Sequence, residues 1–141
     1  GGVAQSTQMH IAVVDRGGHL LRLFSQEDAW EGSIDIAIAK ARTAAIFSSN
    51  ENALTSRIIG LLSQAQDPTT GAPPEQPLWG IGNSNQVGIS GSQATRNGII
   101  TFPGGVPLKS ADGTIIGAIG VSGSTVDNDH AVAAAGAEAV K

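Results

Sequence analysis

The sequence predicts an α+β fold built on an antiparallel sheet. Three observations carry that expectation: apolar runs joined by Gly-rich turns near both ends of the chain, helical periodicities that do not alternate with strands, and a composition rich in small residues. Of 141 residues, 19 are glycine, none is cysteine or tyrosine, and the aromatics are two Trp and three Phe. A chain of this length fits a single compact domain, 1–141, and buries roughly 70% of its unfolded surface. Small side chains must fill much of that interior, which implies close backbone-to-backbone packing.

The elements follow in order. His10 to Asp15 is a short, partly β-branched apolar run, then Arg16-Gly17-Gly18-His19, then Leu20 to Ser25, which together spell a β-hairpin. Its first strand is apolar on both faces, so both sides of the sheet require cover. Ser33 is the expected N-cap of a helix in which Ile34, Ala37, Ile38, Ala41, Ala44 and Ala45 form a sheet-facing side. The opposite side carries Ile36, Ala39, Lys40, Thr43, Ile46 and Phe47, too apolar for water, and calls for a ligand or second subunit. Asn50 is placed to cap a second helix, Glu51 to about Gln64. A loop insertion rich in Pro, Gly, Ser and Asn spans about 66–97, where Leu78-Trp79 suggests a pinned point. Gly98 to Phe102 reads as a strand, Pro103-Gly104-Gly105 as a turn, and Val106 to Lys109 as another strand. Asp112-Gly113 marks a hairpin into the strand Thr114 to Ser122, whose Gly117 and Gly120 are expected to receive the Ala-rich helix from Asp127 to Val140.

Several function classes fall away. A net charge of −4 with no basic run argues against nucleic acid. No stretch reaches the ~18 apolar residues of a membrane span. The chain opens Gly1-Gly2-Val3 rather than on Met, which a removed secretory signal would explain, so an extracytoplasmic location is favoured over a cytoplasmic one. Without cysteine neither disulfides nor thiolate zinc sites exist. Gly80 to Asn85 lacks the third glycine of a dinucleotide fingerprint, and Gly117 to Gly123 lies within a strand. Gly88-Ile89-Ser90-Gly91-Ser92 is one position out of step with a nucleophile elbow. The three histidines are too scattered for a metal cluster: His10 opens a strand as a surface or edge residue, His130 sits at a helix start as a solvated or capping side chain, and His19 occupies a hairpin tip.

Three segments together carry a resemblance. Ile11 to Leu21 (IAVVDRGGHLL), Ser33 to Ala45 (SIDIAIAKARTAA), and Phe102 to Leu108 (FPGGVPL) with Gly117 to Gly123 (GAIGVSG) are similar to the GlcG/HbpS-like, or haem-degrading domain, family over about residues 10 to 140 apart from the long loop. The resemblance implies a profilin-like fold, a five-stranded antiparallel sheet flanked by helices, assembled into dimers or rings up to octamers. Relatives usually carry a helix before the first strand, which has no counterpart ahead of His10. It also implies binding of haem or another tetrapyrrole at subunit contacts, with haem degradation or redox sensing as the role. His19 is then the iron-ligand candidate, since neutral imidazole suits iron. Lys40 and Arg42 are candidates for the propionates, and Thr43, Phe47, Phe102, Gly104 and Gly105 for the pocket lining; a solvated Lys40, and an Arg42 paired with Asp35, are the bland alternatives. A second reading is an enzyme of isomerase or lyase type on a small organic acid, using Lys40, Thr43 and the backbone N–H groups of Gly104 and Gly105. A third is a structural oligomerisation module.

Overall fold

The structure, a computed structural model, describes residues 7–64, 69–70, 77–78, 81 and 98–140. Strands β1 (His10–Asp15) and β2 (Leu20–Ser25) occupy the two apolar runs at the start of the chain. Helices α1 (Ser33–Phe47) and α2 (Ser56–Leu62) follow, then strands β3 (Gly105–Lys109) and β4 (Ile115–Ser122) and helix α3 (Val126–Glu138). All pairings are antiparallel in the order β2-β1-β4-β3, so two hairpins join along β1 and β4. The architecture is the expected α+β one, with four strands among the described residues. Gly98 to Phe102, read from sequence as a strand, lies instead along the helices. Ile100 N–H donates to Thr43 Oγ1 (3.0 Å) and Ser56 Oγ donates to the Phe102 carbonyl (2.9 Å), so side chains take the backbone groups that a ladder would otherwise satisfy.

One layer of helix covers each face. On α1, Ala37, Ala41, Ala44 and Ala45 bury against Ala12, Val14 and Ala118. Gly120 permits that approach, because a Cβ there would overlap the Ala37 carbonyl and stand 2.9 Å from Ala41 Cβ. On the far face, Ala133 and Ala137 of α3 pack with Met9, Leu108, Ile119 and Val121. The pairing expected from sequence, strand glycines against the Ala-rich last helix, is therefore corrected. Strand alternation sends Ala118 and Gly120 to the α1 side and Ile119 and Val121 to the α3 side, while Gly117 abuts the β1 backbone at Val14.

Helix ends differ from the expected caps for readable reasons. Gly32 holds the N-cap position of α1 without a side-chain bond, and Ser33 is a buried first residue. The last turn of α1 has no basic residue of its own; Arg16, from the β1–β2 turn, donates both guanidinium nitrogens to the carbonyls of Ala45 and Ser48. Helix α2 starts late because Thr55, not Asn50, caps it (Thr55 Oγ1 accepts from Ile58 N–H, 3.2 Å). Asn50 Oδ1 accepts from Ile115 N–H (2.9 Å) and fastens the start of β4 instead. In the long loop, Leu78 N–H donates to the Leu62 carbonyl (3.2 Å), the anchoring expected there. Trp79, the glycines at 80 and 82 and the serine motif at 88–92 lie outside the described residues.

Candidate functional site

The β1–β2 hairpin turns through Arg16, Gly17 and Gly18, with Gly18 at φ 80°, a left-handed value that glycine takes without strain. Asp15 organises the tip. Its Oδ1 accepts from the Gly17 and His19 backbone N–H groups (2.9 Å each), while its peptide N–H donates to the His19 carbonyl (2.9 Å). Both carboxylate oxygens then lie 3.1 Å from His19 Nδ1. The His19 backbone N–H, followed by its ring, holds the Asp15 carboxyl below the usual aspartate range, so the group stays anionic. A carboxylate on Nδ1 selects the tautomer whose Nε2 bears the lone pair, the arrangement that metal-ligating histidines use. The His19 side chain is 60% exposed. Leu20, Leu21 and Ile46 are exposed, Ile46 lies beside Gly18, and Arg42 Nε donates to the Gly18 carbonyl (3.1 Å), tying the tip to α1. Asp35 is not the partner of that bond.

A second cluster lies on the β3 side of α1. Lys40 is fully buried, and its stem runs past Gly104, where a Cβ would stand 2.9 Å from both Cδ and Nζ. The ammonium donates to the Val121 carbonyl (2.9 Å) and to Asp129 Oδ2 (2.9 Å) and sits 5.1 Å from the centre of the Phe102 ring. Asp129 Oδ1 accepts from Ser124 N–H (3.0 Å). Burial pulls the Lys40 ammonium below its ordinary value, an effect that Asp129 opposes. Thr43 is buried too, donating to the Ala39 carbonyl (2.7 Å) while accepting from Ile100. Gly105 N–H donates to Ser56 Oγ (2.8 Å), and a Cβ on Gly105 would overlap the Lys40 carbonyl.

The residues singled out in the sequence thus fall into two groups. His19 and Arg42 gather at the hairpin tip; Lys40, Thr43, Phe102, Gly104 and Gly105 gather behind α1, where segment 98–105 and α2 cover much of the flank assigned to a ligand or a subunit. Phe47 and Ile36 remain half-buried. The alternative of a solvated Lys40 is ruled out by its burial. His10 is likewise buried rather than at the surface, its ring bonded to Ser25 Oγ (2.7 Å) and the Trp30 carbonyl (2.9 Å). His130, expected to be solvated or capping, has a buried Nδ1 without a hydrogen-bond partner, and desolvation, then Arg57, lowers its basicity. A separate open cavity of about 270 Å³ between β3, α3 and residues 53–55 touches none of these groups. Sequence reasoning missed Asp15, although Asx-type turn bonding at Asp-Arg-Gly-Gly was a usable signal. It missed Asp129 because nothing local connects positions 40 and 129.

A family model described as "Haem degrading protein HbpS-like" matches residues 2–138. The chain belongs to that HbpS-like family. A protein of 15.0 kDa from the dhaT–dhaS intergenic region of Citrobacter freundii is 31% identical over 122 residues, 86% of this chain and 68% of that protein. Among solved structures, Klebsiella pneumoniae protein ORFY is similar at 28% identity and TM-score 0.66, over 94% of this chain and 74% of that one. HbpS is similar at 25% identity and TM-score 0.62, over 95% and 74%. The PduOC:Heme complex shares the fold at 24% identity and TM-score 0.65, over 96% and 80%. No described helix of this HbpS-like chain is long and apolar enough to cross a membrane.

Proposed function

We propose that this HbpS-like protein binds haem or a related tetrapyrrole at the β1–β2 hairpin tip, and that haem breakdown or redox sensing is the role this binding serves. The observation that carries the reading is the Asp15–His19 pair, which presents an exposed imidazole with its Nδ1 side against a carboxylate. Its support also comes from the family and from the haem complex of PduOC, a protein of the same fold. His19 Nε2 is the iron ligand in this reading, and Asp15 fixes its tautomer and raises its basicity. Arg42 beside Gly18 suits a propionate, and Leu20, Leu21 and Ile46 offer apolar surface to a macrocycle. Haem iron, when bound, supplies one-electron and oxygen chemistry. Lys40, Thr43, Phe102, Gly104 and Gly105 act from behind, fixing α1 and hence Arg42. The small-acid enzyme reading loses parts in comparison, since Lys40 is sealed and the Gly105 N–H is taken by Ser56.

Haemin titration of the purified chain tests it. The expected result is a Soret shift that vanishes in His19→Ala, with affinity down roughly 10–100-fold in Asp15→Asn, as outer-shell partners of metal ligands do. A shift unchanged in His19→Ala refutes the assignment.

A further inference from the structure

One ion pair joins the first turns of α2 and α3: Arg57 Nη2 donates to Asp127 Oδ1 at 2.6 Å. Both side chains reach solvent, so the pair is weakly held and open to an exchange of partners. Three residues on from Asp127 stands His130, whose Nδ1 is buried with no hydrogen-bond partner among the described residues. A neutral imidazole tolerates that. An imidazolium carries N–H on both nitrogens and would bury a cationic donor with nothing to accept it. Burial, then the Arg57 cation, accordingly holds the ring below ordinary basicity, while Asp127 works the other way. No other described carboxylate is placed to compensate. Arg57 is the one titratable residue of α2, and β4, segment 98–104 and the link 123–125 have none. Lys109 of β3 lines a cavity with Glu138 at the far end of α3, and Asp129 is engaged with Lys40 and Ser124.

We propose that Asp127 is the moving part of a pH-sensitive clasp: it holds Arg57 of α2 while His130 is neutral, and turns to the His130 imidazolium in mildly acidic solution, releasing α2 from α3. At positions i and i+3 the carboxylate and the ring are neighbours on one helix face, the spacing at which opposite charges pair. Protonation therefore trades a bond between two helices for one within α3. The open cavity of about 270 Å³ lies in the same seam, with Thr55 on the α2 side and Ala134, one turn beyond His130, on the α3 side. Its width is set by whether the clasp is closed. The closed form takes up a proton less readily than an ordinary histidine at 6.5, so closure is fully present above about 6.5 and is lost as pH falls through the lowered value. A single proton shifts the opening equilibrium by up to about tenfold per pH unit across that interval. None of these groups lies at the hairpin tip, so the clasp is independent of haem binding there.

Proton NMR of the histidine rings and amide exchange on the ligand-free chain test it. The His130 ring is expected to titrate below 6.5, lower still in Asp127→Asn and higher in Arg57→Gln, both changes at side chains that reach solvent. A helix as short as α2 protects its amides only while it is packed. Exchange at the Ile58 and Ile59 N–H groups, corrected for its intrinsic pH dependence, should rise by up to about tenfold per pH unit as pH falls below 6.5, and should stay flat in His130→Gln. If far-UV circular dichroism shows that His130→Gln has lost the fold, the ring titrations and the wild-type exchange decide. A wild-type midpoint at or above 6.5, a midpoint that does not fall in Asp127→Asn, wild-type exchange without pH dependence, or a dependence that survives in folded His130→Gln overturns the proposal.

Discussion

Lys40 joins layers on opposite faces of the sheet, and removing its charge gives the sharpest test of the packing. Lys40→Met keeps the stem beside Gly104 but leaves a 2%-exposed Asp129 carboxylate with the Ser124 N–H as its remaining partner among the described residues. Breaking a buried pair by deleting one partner costs about 3–5 kcal/mol. A chain of this length has a total stability of roughly 7–20 kcal/mol, so the change removes a large fraction of it. At roughly 2–4 °C per kcal/mol the melting temperature should fall by about 6–20 °C. Asp129→Leu strands the ammonium instead and should lose a similar amount. The double variant Lys40→Met/Asp129→Leu buries no charge, and its loss should be well below the sum of the two, with a coupling of at least about 2 kcal/mol. Urea unfolding followed by circular dichroism on the four proteins measures the cycle. A Lys40→Met loss below about 1 kcal/mol, or strictly additive singles, would refute the claim that this pair is a mutual requirement.

Gly120→Ala drives a methyl into the Ala37 carbonyl, so α1 must lift from β4; a loss at or above the usual ~1–3 kcal/mol of overpacking is expected in the same unfolding assay. Arg16→Ala removes two charge-assisted bonds from the α1 C-terminus, with an expected loss of about 2–3 kcal/mol and faster amide exchange in the last turn of α1. Asp112, in the β3–β4 turn, is lowered to about 2 by the Ser110 hydroxyl and Thr114 N–H, against 3.8 for an ordinary aspartate. The unfolded chain therefore binds more protons between these values, and this contribution is present above about 3.8 and lost as pH falls through about 2. Asp112→Asn should flatten the fall of melting temperature between roughly pH 5 and 2; an unchanged slope would count against the turn's role.

Much of the fold is legible locally. The runs His10–Asp15 and Leu20–Ser25, the helical period from Ser33 and the Asp112-Gly113 turn each signal their element through nearby residues. The failures are long-range. Nothing near Gly98–Phe102 announces that Thr43 and Ser56 will take its backbone groups, and nothing near Lys40 announces a carboxylate 89 positions away. The site divides in the same way. His19 at a hairpin tip follows from sequence, whereas its Asp15 contact needed the turn geometry, and the separation of Arg42 from Lys40 needed the helix to be seated. Two residues apart on α1, they face different surroundings, since successive positions turn by about 100°.

Gly104 lets one lysine pass around the end of the sheet from the α1 layer to the α3 layer. The two helices are consequently not independent covers. Lifting either one breaks the same buried bond, so sub-global opening of α1 should expose α3 as well. Native-state hydrogen exchange should then report both helices as one cooperative unit with a shared opening free energy, although they lie on opposite faces and far apart in sequence.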